Sequence, residues 1–166
     1  LRVPHLQVEA AADMTAVQWG KLLLNLNNAL NALSGLPLRE QLLDRRWRRL
    51  LADSQQELLG LLDAAGIQPL RMGPLPARLL PHVLRLPTPL FRIAARSAIT
   101  IDPHARSSMW EDLERRRPTE IGELQGAVID LATRLGRRAP VAERILAAVR
   151  EAEGAGAGSP HLQPTA

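Results

Sequence analysis

The chain has 166 residues, enough for one domain with a sizeable core and too few for two comfortable ones. Hydrophobic residues make up 46% of it but aromatic residues only 2%, which favours helices, because strands are enriched in aromatic and β-branched side chains. The net charge is +4, and the lack of cysteine excludes disulfides and thiolate metal sites. The sequence has no apolar run long enough to span a membrane and no signal-like start, which predicts a cytoplasmic protein.

Two long helices are predicted at the start of the chain. Asp13 or Thr15 can cap the first, which runs to about Leu33 and ends before Gly35. The second is predicted over residues 37–65, where leucines recur at helical spacing.

The rest of the chain has shorter predicted helices. Six prolines between residues 69 and 89 predict a loop, a short helix and a second turn. Helices are predicted over residues 77–86, 90–98, 107–116, 119–135 and 140–153, and a disordered tail over 154–166. With no alternating strand pattern, the sequence predicts one all-α domain over residues 1–153.

Arginine supplies nearly all the positive charge, and two interpretations of it stay open. A basic chain is typical of nucleic-acid-binding proteins. The arginines, however, stand beside acids in the predicted helices, as Arg115 does beside Glu111 and Glu114. This mixing favours a solvated surface of ion pairs, and we expect no nucleic-acid partner and no membrane partner.

A polar stripe on the first helix is the most informative feature. Lys21 is the only lysine of the chain, and all four asparagines fall between residues 25 and 31. At about 100° per residue, Lys21, Asn25 and Asn28 lie on one line of an otherwise leucine-rich helix. The line faces either bulk water or a polar cleft, and the other solvated faces of the chain use Arg, Glu, Asp and Gln instead.

A second unusual stretch precedes the predicted helix over 119–135. Ser107 and Ser108 precede a short helical turn, and Thr119 and Glu120 begin the next helix. Taken singly, each of these residues is explained by helix capping or by the helix dipole.

Together, three separated motifs resemble the C-terminal domain of the ketopantoate reductase family. The segment Trp-Gly-Lys-Leu ends at Leu22 and is followed by Asn25; Ser-Ser-Met begins at Ser107 and is followed by Asp112; Thr-Glu-Ile begins at Thr119. The resemblance covers roughly residues 10–150. One position departs from it, because Ala29 stands where family members often have a second asparagine.

The resemblance implies a fold and a reaction. The fold is the multi-helix substrate domain of the 6-phosphogluconate-dehydrogenase-like type, without its Rossmann partner domain. The reaction is the reduction of 2-dehydropantoate to pantoate by NADPH, a step of pantothenate biosynthesis.

The resemblance also implies roles for six residues. Lys21 protonates the carbonyl oxygen of the substrate, and Glu120 is the second catalytic residue. The substrate contacts are assigned to Asn25, Asn28 and Ser108, with Asp112 behind them.

The cofactor-binding half of such an enzyme is missing. The sequence contains no Gly-x-Gly-x-x-Gly turn after a strand, and it begins with leucine, so we expect a longer protein in which a preceding Rossmann domain holds NADPH. The chain alone is predicted to be inactive. For the intact protein we expect a 2-oxo acid as substrate and no metal ion, and a homodimer is left open.

Two other functions remain open at this point. One is the helical domain of another 2-oxo-acid or opine-type dehydrogenase, with the same residues used differently. The other is a non-enzymatic, arginine-rich interaction module, which predicts salt-dependent binding and tolerance of Lys21→Arg.

Overall fold

A computed structural model describes residues 14–100 and 102–164, and among these residues it contains helices and connections but no strand. In chain order the α-helices are α1 (Met14–Ser34), α2 (Leu38–Leu43), α3 (Arg45–Ala64), α4 (Leu80–Arg85), α5 (Thr88–Ala94), α6 (Arg96–Ile99), α7 (Ser108–Glu114), α8 (Ala127–Arg134) and α9 (Pro140–Ala155). The predicted all-α fold is confirmed. The predicted cap Asp13 and the start of the predicted domain, residues 1–13, lie outside the described residues.

Helix α1 lies at the centre of the fold. It packs against α3, α7 and α9, and its leucines at positions 23, 26 and 30 are almost fully buried. Leucine and alanine dominate the core around it, as the composition predicts, and Phe91 and Met109 are buried as well. No described helix has both the length and the apolarity to cross a membrane.

The second predicted helix is two helices, with a break at Asp44. The backbone of Asp44 is extended (φ −78°, ψ 116°), and its carboxylate accepts a 2.8 Å hydrogen bond from the backbone N–H of Arg46. Asp44 is therefore the N-cap of a new helix, α3. The helical spacing of the leucines continues across this break and does not reveal it. The prediction of one helix over residues 37–65 is therefore corrected.

The break leaves backbone carbonyls at the end of α2 without helical partners, and a buried arginine donates hydrogen bonds to them. Arg48 has no exposed surface, and its Nη1 donates to the carbonyl oxygens of Leu42 and Leu43 at the end of α2. Its other nitrogens donate to Leu84, Leu86 and Thr88 at distances of 3.0–3.1 Å. One guanidinium thus joins the ends of α2 and α4 to the start of α5.

Two other predicted helices are interrupted. The prediction over residues 90–98 is replaced by α5 and α6, which meet at Ala95, where the backbone leaves helical geometry. The prediction over residues 119–135 contains a π-helical segment, Gly122–Gly126, before α8. A π-helix accommodates one extra residue per turn and is rare, which is why periodicity does not predict it.

The tail differs from the predicted disorder. Gly154 and Ala155 continue α9, and the chain then turns back over the end of α1. The Ser159 hydroxyl donates to the Ala32 carbonyl (2.6 Å) and the Leu162 N–H donates to the Leu33 carbonyl (2.8 Å). The last four carbonyls of a helix have no partner inside it, and these contacts satisfy two of them.

Gly20 sets the distance between α1 and the loop that follows α3. The loop is held by a 2.8 Å hydrogen bond from the Leu70 N–H to the Ala16 carbonyl, and a Cβ added at Gly20 would collide with the carbonyl oxygen of Leu70. Only glycine allows this approach, and it accepts the helix-propensity cost of about 1 kcal/mol for doing so.

Two matched glycine substitutions test this packing. We expect Gly20→Ala to lower the free energy of unfolding by about 1 to 3 kcal/mol, because the methyl group forces the loop off α1. Gly60→Ala, at an exposed position of α3 where the Cβ meets no atom within 4 Å, is expected to raise it by about 0.5 to 1 kcal/mol. Urea unfolding of both variants measures the difference, and a stabilised Gly20→Ala protein contradicts the packing argument.

Candidate functional site

The predicted polar stripe lies on the outward face of α1. Lys21 is exposed, and Asn25 and Asn28 are half-buried. Leu22, Leu23 and Leu26, on the other faces of the same turns, are buried. The sequence therefore predicts correctly which face of this helix stays polar and accessible.

The four asparagines divide into two groups. Asn31 is completely buried, and its Nδ2 donates to the Leu36 carbonyl (2.9 Å). Asn27 accepts a 2.9 Å hydrogen bond from buried Gln41 on α2. These two asparagines join α1 to the segment after it, and only Asn25 and Asn28 remain on the accessible stripe.

The serine pair begins α7 and is docked onto α1. Ser107 is the N-cap, accepting from the Trp110 N–H, and its hydroxyl donates to the Asn28 carbonyl (3.0 Å). The backbone N–H of Ser107 donates to Oδ1 of Asn31 (2.8 Å). These bonds fix the neighbouring Ser108, which is exposed, beside the stripe at Asn28.

Glu120 is exposed and lies just before the π-helical segment. Its neighbour Thr119 is tied to α9, because the Thr119 N–H donates to Glu153 (2.7 Å), which also pairs with Arg150 (2.9 Å). Burial raises the pKa of the Glu153 carboxyl, but the hydrogen bonds from Thr119 and the contact with Arg150 outweigh it and hold the pKa below its ordinary value. A charged Glu153 thus positions the segment that carries Glu120.

The π-helical segment connects Glu120 to α1. Gln125, completely buried, donates from Nε2 to the Leu26 carbonyl in the middle of α1 (3.4 Å). The sequence gives no signal for this role of Gln125, since a glutamine in a predicted helix is ordinarily a solvated residue. Through this contact the segment following Glu120 packs on the helix that carries Lys21.

The predicted site residues are thus carried by α1 and by two segments that pack on it, but their side chains are not joined. Within residues 14–100 and 102–164, no hydrogen bond or ion pair links the Lys21 ammonium to Glu120 or to Ser108. Asp112 is half-buried, and its backbone carbonyl accepts a 2.8 Å hydrogen bond from the Arg117 N–H. Lys21, Ser108 and Glu120 are all exposed.

The described residues do not provide a cofactor site. They contain no strand, and therefore no βαβ unit to hold a dinucleotide. Nor do they bring three His, Asp or Glu side chains close enough together to hold a metal ion.

Comparison with known proteins gives a family and a similar fold. Residues 13–153 match the family model described as ketopantoate reductase PanE/ApbA C terminal. The fold is similar to that of the PanE/ApbA family ketopantoate reductase from Ralstonia eutropha JMP134, with a TM-score of 0.70 and 25% sequence identity. A search of the curated proteins found no match.

The extent of these matches matters for the function. The structural match covers 92% of this chain but only 45% of the Ralstonia protein, so the chain spans less than half of that relative. The resemblance drawn from the three sequence motifs is confirmed for the helical domain.

Proposed function

The chain belongs to the ketopantoate reductase family as its C-terminal domain, and from this premise we propose that it supplies the substrate-binding surface and the catalytic acid of an NADPH-dependent 2-dehydropantoate 2-reductase. The observation that carries the proposal is the accessible stripe on α1, where the single lysine of the chain stands beside two amide side chains. It is supported by the docking of the Ser108 and Glu120 segments onto the same helix.

Lys21 is the proposed proton donor. When bound, NADPH would supply the hydride that the carbonyl carbon of the substrate receives, and negative charge would then develop on the carbonyl oxygen. The ammonium of Lys21 stabilises the negative charge that develops there and transfers a proton to it, which yields the 2-hydroxy acid. Solvent then returns a proton to the exposed amine.

The other residues bind and orient the substrate. Asn25 and Asn28, on the same face as Lys21, donate amide hydrogen bonds to its oxygens, and the Ser108 hydroxyl binds its carboxylate. Glu120 accepts a hydrogen bond from a substrate hydroxyl or from Lys21. Asp112 supports this group from behind Ser108, one turn later on α7.

NADPH is proposed to be held by an N-terminal Rossmann domain of the intact protein, because the described residues have no element that could hold it. In such an arrangement the substrate lies between the dinucleotide and the stripe on α1. A cytoplasmic location and a homodimer are compatible with this function and are not required by it.

The test is an assay of NADPH oxidation with 2-dehydropantoate. We expect turnover by the intact protein and none by the 166-residue chain alone. Turnover by the chain alone overturns the proposal that a separate N-terminal domain holds NADPH. An intact protein that reduces no 2-oxo acid overturns the proposed reaction.

A further inference from the structure

An apolar cavity of about 260 Å³ lies beside the polar stripe of α1. Its walls are α1, the loop after α3, and α4 and α5, and every side chain that lines it is apolar. Such a space offers few hydrogen bonds to a polar group, whereas an apolar group gains by leaving water for it.

Two residues that line the cavity lie on either side of Lys21 on α1. Gly20, which lines it, precedes Lys21 in the chain, and Leu24, which also lines it, lies three residues after Lys21. Side chains three residues apart on a helix are about 5 to 6 Å from each other. Leu24 is 43% exposed and adds apolar surface at the rim of the cavity, on the same side of α1 as Lys21.

The walls of the cavity are anchored. Phe91 is 2% exposed, and its ring lies 4.3 Å from the guanidinium carbon of the buried Arg48. On the other side, the loop that carries Leu70 and Met72 is bonded to α1 and packs closely on Gly20. The residues on both sides of the cavity are therefore held in place by the fold.

We propose that this cavity gives the protein a further class of substrate beside 2-dehydropantoate, namely 2-oxo acids whose phenyl or similarly large apolar substituent enters it. The inference rests on the proposed function, in which the carbonyl at Lys21 and the carboxylate at Ser108 fix the other end of the molecule. A cavity of about 150 Å³ lined by similar side chains holds benzene, so this one has room for a phenyl ring and a methylene link. The reaction itself, addition of hydride from NADPH and a proton, is unchanged.

The test compares two acids and two variants in the intact protein. We expect kcat/KM for phenylpyruvate to exceed that for pyruvate by about 10- to 100-fold, the effect of burying a large apolar group. Ala94→Phe, which fills the cavity from an exposed position on its rim, is expected to abolish this preference by lowering kcat/KM for phenylpyruvate to about the value for pyruvate. The matched control is Ala147→Phe on the exposed face of α9, which is expected to change neither value.

The outcomes separate this inference from the proposed function. If the acids are reduced but Ala94→Phe leaves the preference for phenylpyruvate intact, or if there is no preference, the cavity is not a substrate site although the reductase function stands. If no 2-oxo acid is reduced, titration calorimetry measures whether phenylpyruvate binds to the wild-type protein and to Ala94→Phe. Binding that Ala94→Phe removes supports the cavity as the site, whereas absent or unchanged binding overturns it.

Discussion

Replacing the proposed proton donor Lys21 with arginine is expected to lower kcat of the intact protein by roughly 100- to 10,000-fold, the usual contribution of a positioned proton donor. Arginine keeps the positive charge and hence the electrostatic attraction for a substrate anion, but its guanidinium does not release a proton in proteins. KM is therefore expected to change much less than kcat. Steady-state kinetics with 2-dehydropantoate and NADPH measures both.

The same variant is expected to fold normally, because Lys21 is exposed and no hydrogen bond or ion pair of its side chain is found in the described part of the chain. Its melting temperature should match that of the wild type. Arg144→Lys, the reverse exchange at an exposed position of α9, controls for the substitution itself and is expected to leave kcat unchanged. A Lys21→Arg enzyme with nearly full kcat excludes proton donation by this residue and favours a purely electrostatic role.

Features set by local chemistry could be predicted from the sequence. The predicted helices over residues 37–65 and 119–135 each end one residue before a glycine. These glycines, Gly66 and Gly136, have a positive φ (69° and 63°), which glycine adopts without strain. The long α1 and its polar face follow from residue spacing alone. The serine at position 107 caps α7, as its residue type and place before the helix predict.

Features set by distant partners could not be predicted. The break at Asp44 is stabilised by Arg48, whose other acceptors lie 36 to 40 residues further along the chain. The tail is ordered by carbonyls of α1 that lie 127 residues before Ser159. Neither contact leaves a periodic signal, and a glycine-rich tail with few apolar residues otherwise predicts disorder.

The candidate site shows the same division. The stripe of Lys21, Asn25 and Asn28 is a property of one helix, and spacing is enough to find it. The apolar cavity beside it depends on a loop about 50 residues later meeting α1 at Gly20, so no motif in the sequence marks it. The proposed specificity of the site is therefore less accessible from the sequence than the proposed proton donor.

Replacing the buried Arg48 with methionine is expected to destabilise the fold strongly. Arg48→Met leaves the buried carbonyl of Leu84 and the half-buried carbonyls of Leu42 and Leu43 without their donor, and each such loss costs about 1 to 3 kcal/mol. Because the groups relax partly toward water, we expect a total loss of about 3 to 5 kcal/mol. For a chain of this size that lowers Tm by roughly 6 to 20 °C.

The arrangement explains why methionine cannot replace the arginine, although it fills much of the same volume. Burial lowers the pKa of the Arg48 guanidinium, with the charge of Arg45 adding to the effect, yet an arginine stays protonated in a protein and keeps all five N–H donors. Those donors close the ends of α2 and α4, where the helix dipoles favour a positive charge. Arg49→Met, at an exposed neighbouring position, is expected to change stability by less than about 0.5 kcal/mol. Equal melting temperatures for the two variants would show that the buried carbonyls find other donors and that Arg48 is not what holds α2, α4 and α5 together.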